Sequence, residues 1–222
     1  MTQPNVSRRK FIKIGAITIV ASGVMCCGGG LLATKRKSPA APVATPSFTF
    51  GKSSSATKRI LVAYATRTGS TVGVAQAIGE VLGSRGFAVD VKPFLEDPDP
   101  GEYQAILLGS AVNGAQWLPE ALEYSERWSS SLNQVPLALF CVHIMNLGEE
   151  EGEKQNRLAY LNPVRALLPS AEEAFFAGQG LMPEEQSMLV VWACRALQLF
   201  PEGDCRDWEK IRSWGKQVLH TI

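Results

Sequence analysis

From residue 59 onward, apolar residues form short unbroken runs that alternate with segments of helical spacing. Five of these runs predict strands, and they are 60–65, 87–91, 105–110, 137–142 and 172–177. A run without polar alternation is typical of a parallel strand, because helices cover both faces of a parallel sheet. The pattern therefore predicts a sheet that is buried on both sides.

The segments between the strands predict helices, and these are 71–84, 119–130, 155–168 and 207–219. The last of them is expected to be capped near Asp204. Strands that alternate with helices predict an α/β fold, here a doubly wound five-stranded parallel sheet with helices on both faces. Ligands of such folds bind beyond the carboxyl ends of the strands. Three loops leave those ends, and they are 66–71, 110–117 and 143–152.

Charge divides the chain into two unlike parts. The 222 residues include 22 Lys+Arg and 21 Asp+Glu, but residues 1–58 hold nine of the basic residues and no acidic one. Residues 59–222 therefore hold 13 basic and 21 acidic residues, a formal charge of −8. An acidic domain disfavours nucleic acid as a partner, because phosphates need clustered Lys and Arg. It suits a basic redox partner protein, although solubility alone also explains it.

The five cysteines include no CxxC pair, and the sequence has only two histidines. A structural or catalytic metal site needs several such ligands at characteristic spacings. The sequence therefore predicts no metal site, and no pair of residues with the pattern of a catalytic dyad is evident.

The N-terminal segment is typical of an export signal. Residues 7–13 read Ser-Arg-Arg-Lys-Phe-Ile-Lys, which resembles the twin-arginine signal, with Ile12 where leucine is commoner. Residues 14–34 carry no charge, and they could stay as a membrane anchor or be removed with the signal. The resemblance implies that the protein acts on the periplasmic or extracytoplasmic side, anchored in the membrane if residues 14–34 are retained.

The composition changes again before the first predicted strand. Residues 1–37 are read as the signal and possible anchor, residues 38–57 as a flexible linker rich in Pro and Ser, and residues 58–222 as the folded domain.

The loop at 66–71 has the features of a phosphate site. It joins a predicted strand to a helix, and the free N–H groups at a helix N-terminus bind anions. Gly69 permits a close backbone approach, and Arg67 adds positive charge. Four hydroxyl groups can donate hydrogen bonds, from Thr66, Thr68, Ser70 and Thr71. No lysine occurs between residues 59 and 91, so the loop lacks the lysine of an ATP-binding P-loop and suits a monophosphate better.

This loop, Thr66-Arg-Thr-Gly-Ser-Thr71, matches every fixed position of T-x-T-G-x-T, and the chain here resembles the flavodoxin family. The resemblance spans residues 58–222 and implies a strand order of 2-1-3-4-5 and a bound FMN. It implies that residues 66–71 hold the FMN phosphate.

The same resemblance assigns the other two loops to the flavin ring. In the second loop the implied cofactor-binding residues are Ser110, Ala111, Val112, Asn113, Gly114 and Trp117. Asn113-Gly114 is a turn dipeptide able to take positive φ. Trp117 either stacks on the ring or packs beside the following helix. In the third loop the candidates are His143 and Asn146, with a hydrogen-bonded structural role as the alternative for His143.

The downstream half suggests a particular branch. Residues 181–208 resemble the corresponding part of menaquinone-dependent protoporphyrinogen oxidases, but they lack the basic and aromatic segment of those enzymes. Three hypotheses follow: an exported flavodoxin-like carrier between a donor and a quinone or protein acceptor, an oxidase of that type, or a non-redox binding protein with the same fold.

Overall fold

The computed structural model describes residues 43–52, 58–180, 201 and 203–220. The export signal, the apolar segment 14–34 and the segment 181–200 lie outside these ranges, so the predictions made for them remain predictions.

A mostly parallel sheet forms the centre of the domain. Its strands are β1 (Phe48–Phe50), β2 (Arg59–Ala65), β3 (Ala88–Pro93), β4 (Ala105–Asn113), β5 (Gln116–Trp117), β6 (Leu137–His143) and β7 (Glu172–Ala177). Their spatial order is β1-β3-β2-β4-β6-β7, with β5 paired to β4. The five predicted strands are all present and parallel, and their order is the expected 2-1-3-4-5. A short antiparallel pair, β8 (Gln179–Gly180) and β9 (Gly203–Asp204), follows the sheet.

Helices cover both faces of this sheet. They are α1 (Ser70–Ser84), α2 (Pro119–Arg127), α3 (Ser129–Leu132), α4 (Glu151–Ala159), α5 (Asn162–Leu167) and α6 (Trp208–Gln217). The single helix predicted at 155–168 is wrong, since α4 and α5 are separate. Pro163 lies in the first turn of α5, where backbone N–H groups have no partner within the helix, so the lack of an N–H costs no hydrogen bond. The cap of α6 is Asp207 and not Asp204, because the Asp207 side chain accepts from the Lys210 N–H.

Successive residues of the strands feed two cores. Ile60, Val62 and Tyr64 of β2 belong to the core under α1 and α6. Leu61 and Ala63 of the same strand belong to the core under α2, α3 and α5. This alternation explains the unbroken apolar runs, because side chains of both orientations are buried.

The linker prediction for residues 38–57 is wrong at residues 48–50, which form the edge strand β1. It pairs antiparallel with β3, and Phe48 lies opposite Val91. Gly79 and Gly83 of α1 make room for Phe50: a Cβ on Gly79 would lie 2.9 Å from ring atom Cδ2 of Phe50, and one on Gly83 would lie 2.8 Å from Phe50 Cβ. A three-residue strand between Pro- and Ser-rich stretches carries too short a pattern to be recognised as one.

Phe50→Ala tests whether β1 contributes to the domain. Phe50 is half-buried and packs against the α1 core, so its truncation is expected to lower the free energy of unfolding by about 2 kcal/mol. Chemical denaturation measures the change. Lys52→Ala, at an exposed position just beyond β1, is the control and is expected to change stability by less than about 0.5 kcal/mol. Equal stabilities for the two variants would contradict a contribution from β1.

Candidate functional site

The three loops predicted to form the site lie together at the carboxyl ends of the parallel strands. The first follows β2, the β4–β5 hairpin extends from the neighbouring strand, and the third follows β6. The end of β7 joins them: the Gly178 N–H donates to His143 O at 2.8 Å. A Cβ on Gly178 would lie 3.3 Å from Ser70 Oγ. The first and third loops are therefore close neighbours of this strand end.

The first loop presents an uncapped helix N-terminus. Gly69 precedes α1 with φ +87°, and no side chain caps the helix there. The Gly69 N–H donates to Thr66 Oγ1 at 3.0 Å, which folds the loop back on itself. The first turn of α1 contains no acidic residue. The N–H groups and the positive end of the helix dipole are therefore available to an anion.

Thr71 carries a buried hydroxyl without a partner. Thr71 is 0% exposed. Among the buried side-chain N and O atoms of the described residues, its Oγ1 alone lacks a hydrogen bond. A buried hydroxyl that is left unsatisfied costs about 1–3 kcal/mol. Such a group at the mouth of a helix is expected where a bound ligand completes the site.

The remaining members of this loop differ in exposure. Arg67 is exposed, Thr66 and Thr68 are partly exposed, and Ser70 is buried. The structure thus brings all six predicted phosphate-loop residues together in one turn.

The upstream segment reaches this loop as well. The Tyr64 hydroxyl donates to Pro46 O at 2.7 Å. Val43 Cγ1 lies 3.7 Å from the position that a Cβ on Gly69 would take. Residues 43–46 therefore run along the outer side of the phosphate loop, which the sequence did not indicate.

The second loop is a β-hairpin. β4 continues through Asn113 and pairs with Gln116, and the two central residues Gly114 and Ala115 have φ of +60° and +63°. This is the backbone pattern of a two-residue hairpin turn. The positive φ predicted for Gly114 is confirmed. Asn113 belongs to the strand, so the turn lies one residue later than the Asn113-Gly114 pair suggested.

Two residues predicted to contact a cofactor have buried side chains whose polar atoms already form hydrogen bonds within the protein. Ser110 Oγ accepts from the Leu118 N–H at 3.1 Å and donates to Ala111 O at 2.9 Å. Trp117 is 1% exposed, and its indole N–H donates to Cys141 Sγ at 2.9 Å. The burial of Trp117 favours the alternative, in which it packs beside the following helix. Ala111 and Val112 are partly exposed, and Asn113 and Gly114 are exposed on the hairpin.

His143 ends β6 as a buried and hydrogen-bonded residue. It is 4% exposed, and its Nδ1–H donates to Met145 O at 2.7 Å. The rings of Tyr160 and Phe175 lie 5.5 Å and 6.4 Å from the imidazole. Burial lowers the pKa of His143 to about 4, so the imidazole is neutral near pH 7. These contacts favour the structural role.

This shift predicts a loss of stability in acid. His143 has a usual pKa of 6.5 and a folded-state pKa of about 4. Below pH 6.5 the unfolded chain binds a proton at this residue that the folded chain does not bind. The free energy of unfolding is therefore highest above pH 6.5, and it decreases as the pH is lowered from 6.5 to about 4. The loss from this residue is expected to approach about 3 kcal/mol. Denaturation of the wild type and of His143→Gln between pH 7 and pH 4 measures it, and parallel curves would contradict it.

The third loop is held by α4 and its C-terminal cap. Asn146 has φ +58°, and its Nδ2 donates to the Tyr160 hydroxyl. Arg157 Nη1 donates to Asn146 O at 3.0 Å and to Gly148 O at 3.2 Å. Asn146 is partly exposed, while its side-chain amide is fixed by Tyr160. Nothing in the sequence pattern pointed to Arg157 or Tyr160 as supports of this loop.

A further cation lies beside α1. Arg206 follows β9, and its Nη1 lies 3.4 Å from Ser70 O. Its side chain is 12% exposed. No motif or spacing indicated that this residue, far along the chain, would contact the first turn of α1.

A doubly wound sheet with an uncapped, hydroxyl-rich turn before its first helix defines an α/β protein with a candidate anion site at the strand ends. The flavodoxin-domain family model matches residues 61–184, which is more than half of the chain, and the chain belongs to that family. Flavodoxin-family proteins bind FMN and pass electrons to redox partners.

Solved structures similar to this chain include several flavodoxins. They include oxidised flavodoxin 1 from Bacillus cereus, with 16% identity, a TM-score of 0.47, and coverage of 74% of this chain and 99% of that one. A short-chain flavodoxin associated with a bacterial microcompartment has 13% identity, a TM-score of 0.49, and coverage of 74% and 98%. A Streptococcus pneumoniae flavodoxin has 14% identity, a TM-score of 0.44, and coverage of 74% and 99%. No curated protein sequence matches the chain.

The described residues lack two features, a membrane-spanning helix and a metal-binding cluster. Within residues 43–52, 58–180 and 203–220, no helix is long and apolar enough to cross a membrane. The same part of the chain contains no cluster of His, Cys, Asp and Glu suited to a metal ion.

Proposed function

We propose that this protein is an exported, FMN-binding redox protein that transfers electrons between a donor and a quinone or protein acceptor. Membership of the flavodoxin family and the geometry of the first loop support the cofactor. The twin-arginine motif at residues 7–13 supports export to the extracytoplasmic side, and residues 14–34 would associate it with the membrane if they are retained. The acidic composition of residues 59–222 supports a basic protein partner.

The unpartnered hydroxyl of Thr71 is the observation that carries the cofactor assignment. It lies in the first turn of α1, beyond a glycine-based N-terminus that no side chain caps. A phosphate accepts hydrogen bonds from N–H and hydroxyl donors alike, so it would satisfy both kinds of group at once. The N–H groups of the loop, with the hydroxyls of Thr68, Ser70 and Thr71, would hold the phosphate of FMN.

The ring of the flavin would lie between the other two loops. The exposed hairpin residues Asn113 and Gly114 form one border, and Asn146 of the third loop forms the other. When bound, FMN supplies one- and two-electron chemistry, and the protein has to position it and limit its contact with water. Asn146 is fixed by Tyr160 and Arg157, which would keep that border rigid.

Proton transfer by His143 is not part of this proposal. The imidazole is neutral near pH 7, buried, and bound to Met145 O through Nδ1. Its part would be to hold the third loop at the end of β6.

Thr71→Val tests the proposal, because it separates the needs of the free protein from those of the ligand. Valine has the shape of threonine without the buried hydroxyl, so the stability of the flavin-free protein is expected to stay equal or to rise. The affinity for FMN is expected to fall about tenfold or more, because a hydrogen bond to a charged group is lost. Denaturation measures the first quantity and flavin fluorescence titration the second.

Thr49→Val is the matched control, since Thr49 lies in β1 and its hydroxyl contacts Asp90. It is expected to leave the FMN affinity unchanged. A Thr71→Val variant with wild-type FMN affinity would contradict the assignment of the phosphate loop. A wild-type protein that takes up no FMN would contradict the function itself.

A further inference from the structure

We propose that Arg206, which lies outside the phosphate loop, acts electrostatically on the phosphate and makes the site select FMN over unphosphorylated flavin. The proposal rests on the proposed function, because it concerns the same phosphate. It gives the segment after β9 a part in the site that the loop motif does not include.

Arg206 is seated against the first turn of α1. Its Nη1 lies 3.4 Å from Ser70 O. A Cβ on Gly73 would lie only 2.8 Å from the same nitrogen. Gly73 therefore leaves the space that the guanidinium occupies, and any larger residue would push it away from the helix.

The opposite edge of the guanidinium is fixed by an ion pair. Arg206 Nε donates to Asp204 Oδ1 at 2.8 Å and Nη2 donates to Oδ2 at 2.7 Å, a two-point contact. The guanidinium also stacks on Trp208, with its carbon 4.3 Å from the ring centre. The hydrogen bonds from Arg206 lower the pKa of Asp204 below its usual range, so this carboxylate stays ionised near neutral pH. Asp204 therefore holds the Nε and Nη2 side, while Nη1 faces α1.

Asp204 balances the charge of Arg206 in the free protein, but its carboxylate lies on the Nε and Nη2 side. The Nη1 side faces the first turn of α1, which contains no acidic residue. This side of the guanidinium and the positive end of the helix dipole therefore both favour an anion at the loop. The buried Thr71 hydroxyl in the same turn lacks a partner, which independently indicates a ligand there. A phosphate above the loop would satisfy the hydroxyl and be attracted by the guanidinium.

Arg206 would attract the phosphate through space, because its guanidinium contacts the carbonyl of Ser70 and not the N–H groups of the loop. The Arg206 side chain is only 12% exposed, so salt screens its charge less than it screens a charge on the surface. A purely structural ion pair offers a different explanation, in which Asp204 and Arg206 only clamp β9 to α1. The two explanations predict different results when each member of the pair is neutralised.

Arg206→Gln and Asp204→Asn in the full chain separate them. The measured quantity is the ratio of FMN affinity to riboflavin affinity, which isolates the effect on the phosphate. Arg206→Gln is expected to lower this ratio about tenfold, because a positive charge near a doubly charged group is lost. Asp204→Asn is expected to keep or raise it, because a negative charge is lost while the hydrogen-bonding side chain stays.

The ratio of FMN affinity to riboflavin affinity in the two variants decides between attraction of the phosphate and a structural clamp. A ratio that falls in Arg206→Gln and does not fall in Asp204→Asn supports the charge on the phosphate. A ratio that is unchanged in Arg206→Gln, or that falls equally in both variants, overturns it and leaves a structural clamp. Denaturation of the flavin-free variants identifies any loss of fold, and Arg206→Lys, which keeps the charge, then repeats the comparison. Failure of the wild type to bind FMN would instead contradict the proposed function.

Discussion

Replacing Gly69 by aspartate is expected to abolish FMN binding. Gly69 has φ +87°, a conformation that L-residues other than Asn and Asp rarely adopt, and it opens the N-terminus of α1. Among the described residues, a Cβ there would meet only Val43 Cγ1 at 3.7 Å, so the side chain fits sterically. Its carboxylate would lie at the helix N-terminus, where it would occupy the N–H donors and repel the phosphate. The expected loss of affinity is therefore at least about a hundredfold.

The matched control is Gly86→Asp at the other end of the same helix. Gly86 has φ +96°, so a side chain there meets a similar backbone strain, and its Cβ would have no described atom within 4 Å. It follows the C-terminus of α1, at the opposite edge of the sheet. FMN titration of both variants is expected to show loss of binding for Gly69→Asp alone. Retention of FMN by Gly69→Asp would show that the phosphate binds elsewhere.

Trp117→Ala is expected to destabilise the domain by about 3–5 kcal/mol, the range for truncating a large buried aromatic residue. Trp117 is 1% exposed and anchors the base of the β4–β5 hairpin in the core. Its indole N–H also donates to Cys141 Sγ, and that bond is lost. Thermal or chemical denaturation measures the effect.

Trp117→Leu separates packing from ring stacking. Leucine keeps part of the apolar volume without an aromatic ring, so it is expected to cost less stability than alanine. The folded variant is expected to bind FMN within about twofold of the wild type, because the indole lies in the core and not at the cofactor. A large loss of FMN affinity in this variant, with stability preserved, would mean that Trp117 contacts the flavin.

The sequence predicted the features that depend on neighbouring residues. The strand at 60–65, the turn at 66–71 and the helix that follows lie in one continuous segment, so their local pattern defines the phosphate loop. The five parallel strands were found for the same reason, because each is a run buried on both faces.

The features that the sequence did not predict depend on contacts between distant residues. The strand β1 is stabilised by pairing with β3, some 40 residues away, and by Phe50 in the space left by Gly83. Ser110 carries a side chain suited to a ligand, but its hydroxyl bonds Leu118. Arg206 reaches Ser70 across 136 positions. Motif and spacing describe local chemistry, and they do not show which polar groups the tertiary fold already occupies.

The central claim is that residues 66–71 hold the phosphate of FMN, and backbone amide NMR shifts of the full chain test it most directly. Addition of one equivalent of FMN is predicted to shift the amide signals of Gly69, Ser70 and Thr71 strongly. Riboflavin, which lacks the phosphate, is predicted to leave those three signals near their free positions. Absence of FMN-induced shifts in this loop, or equal shifts with riboflavin, would contradict the account.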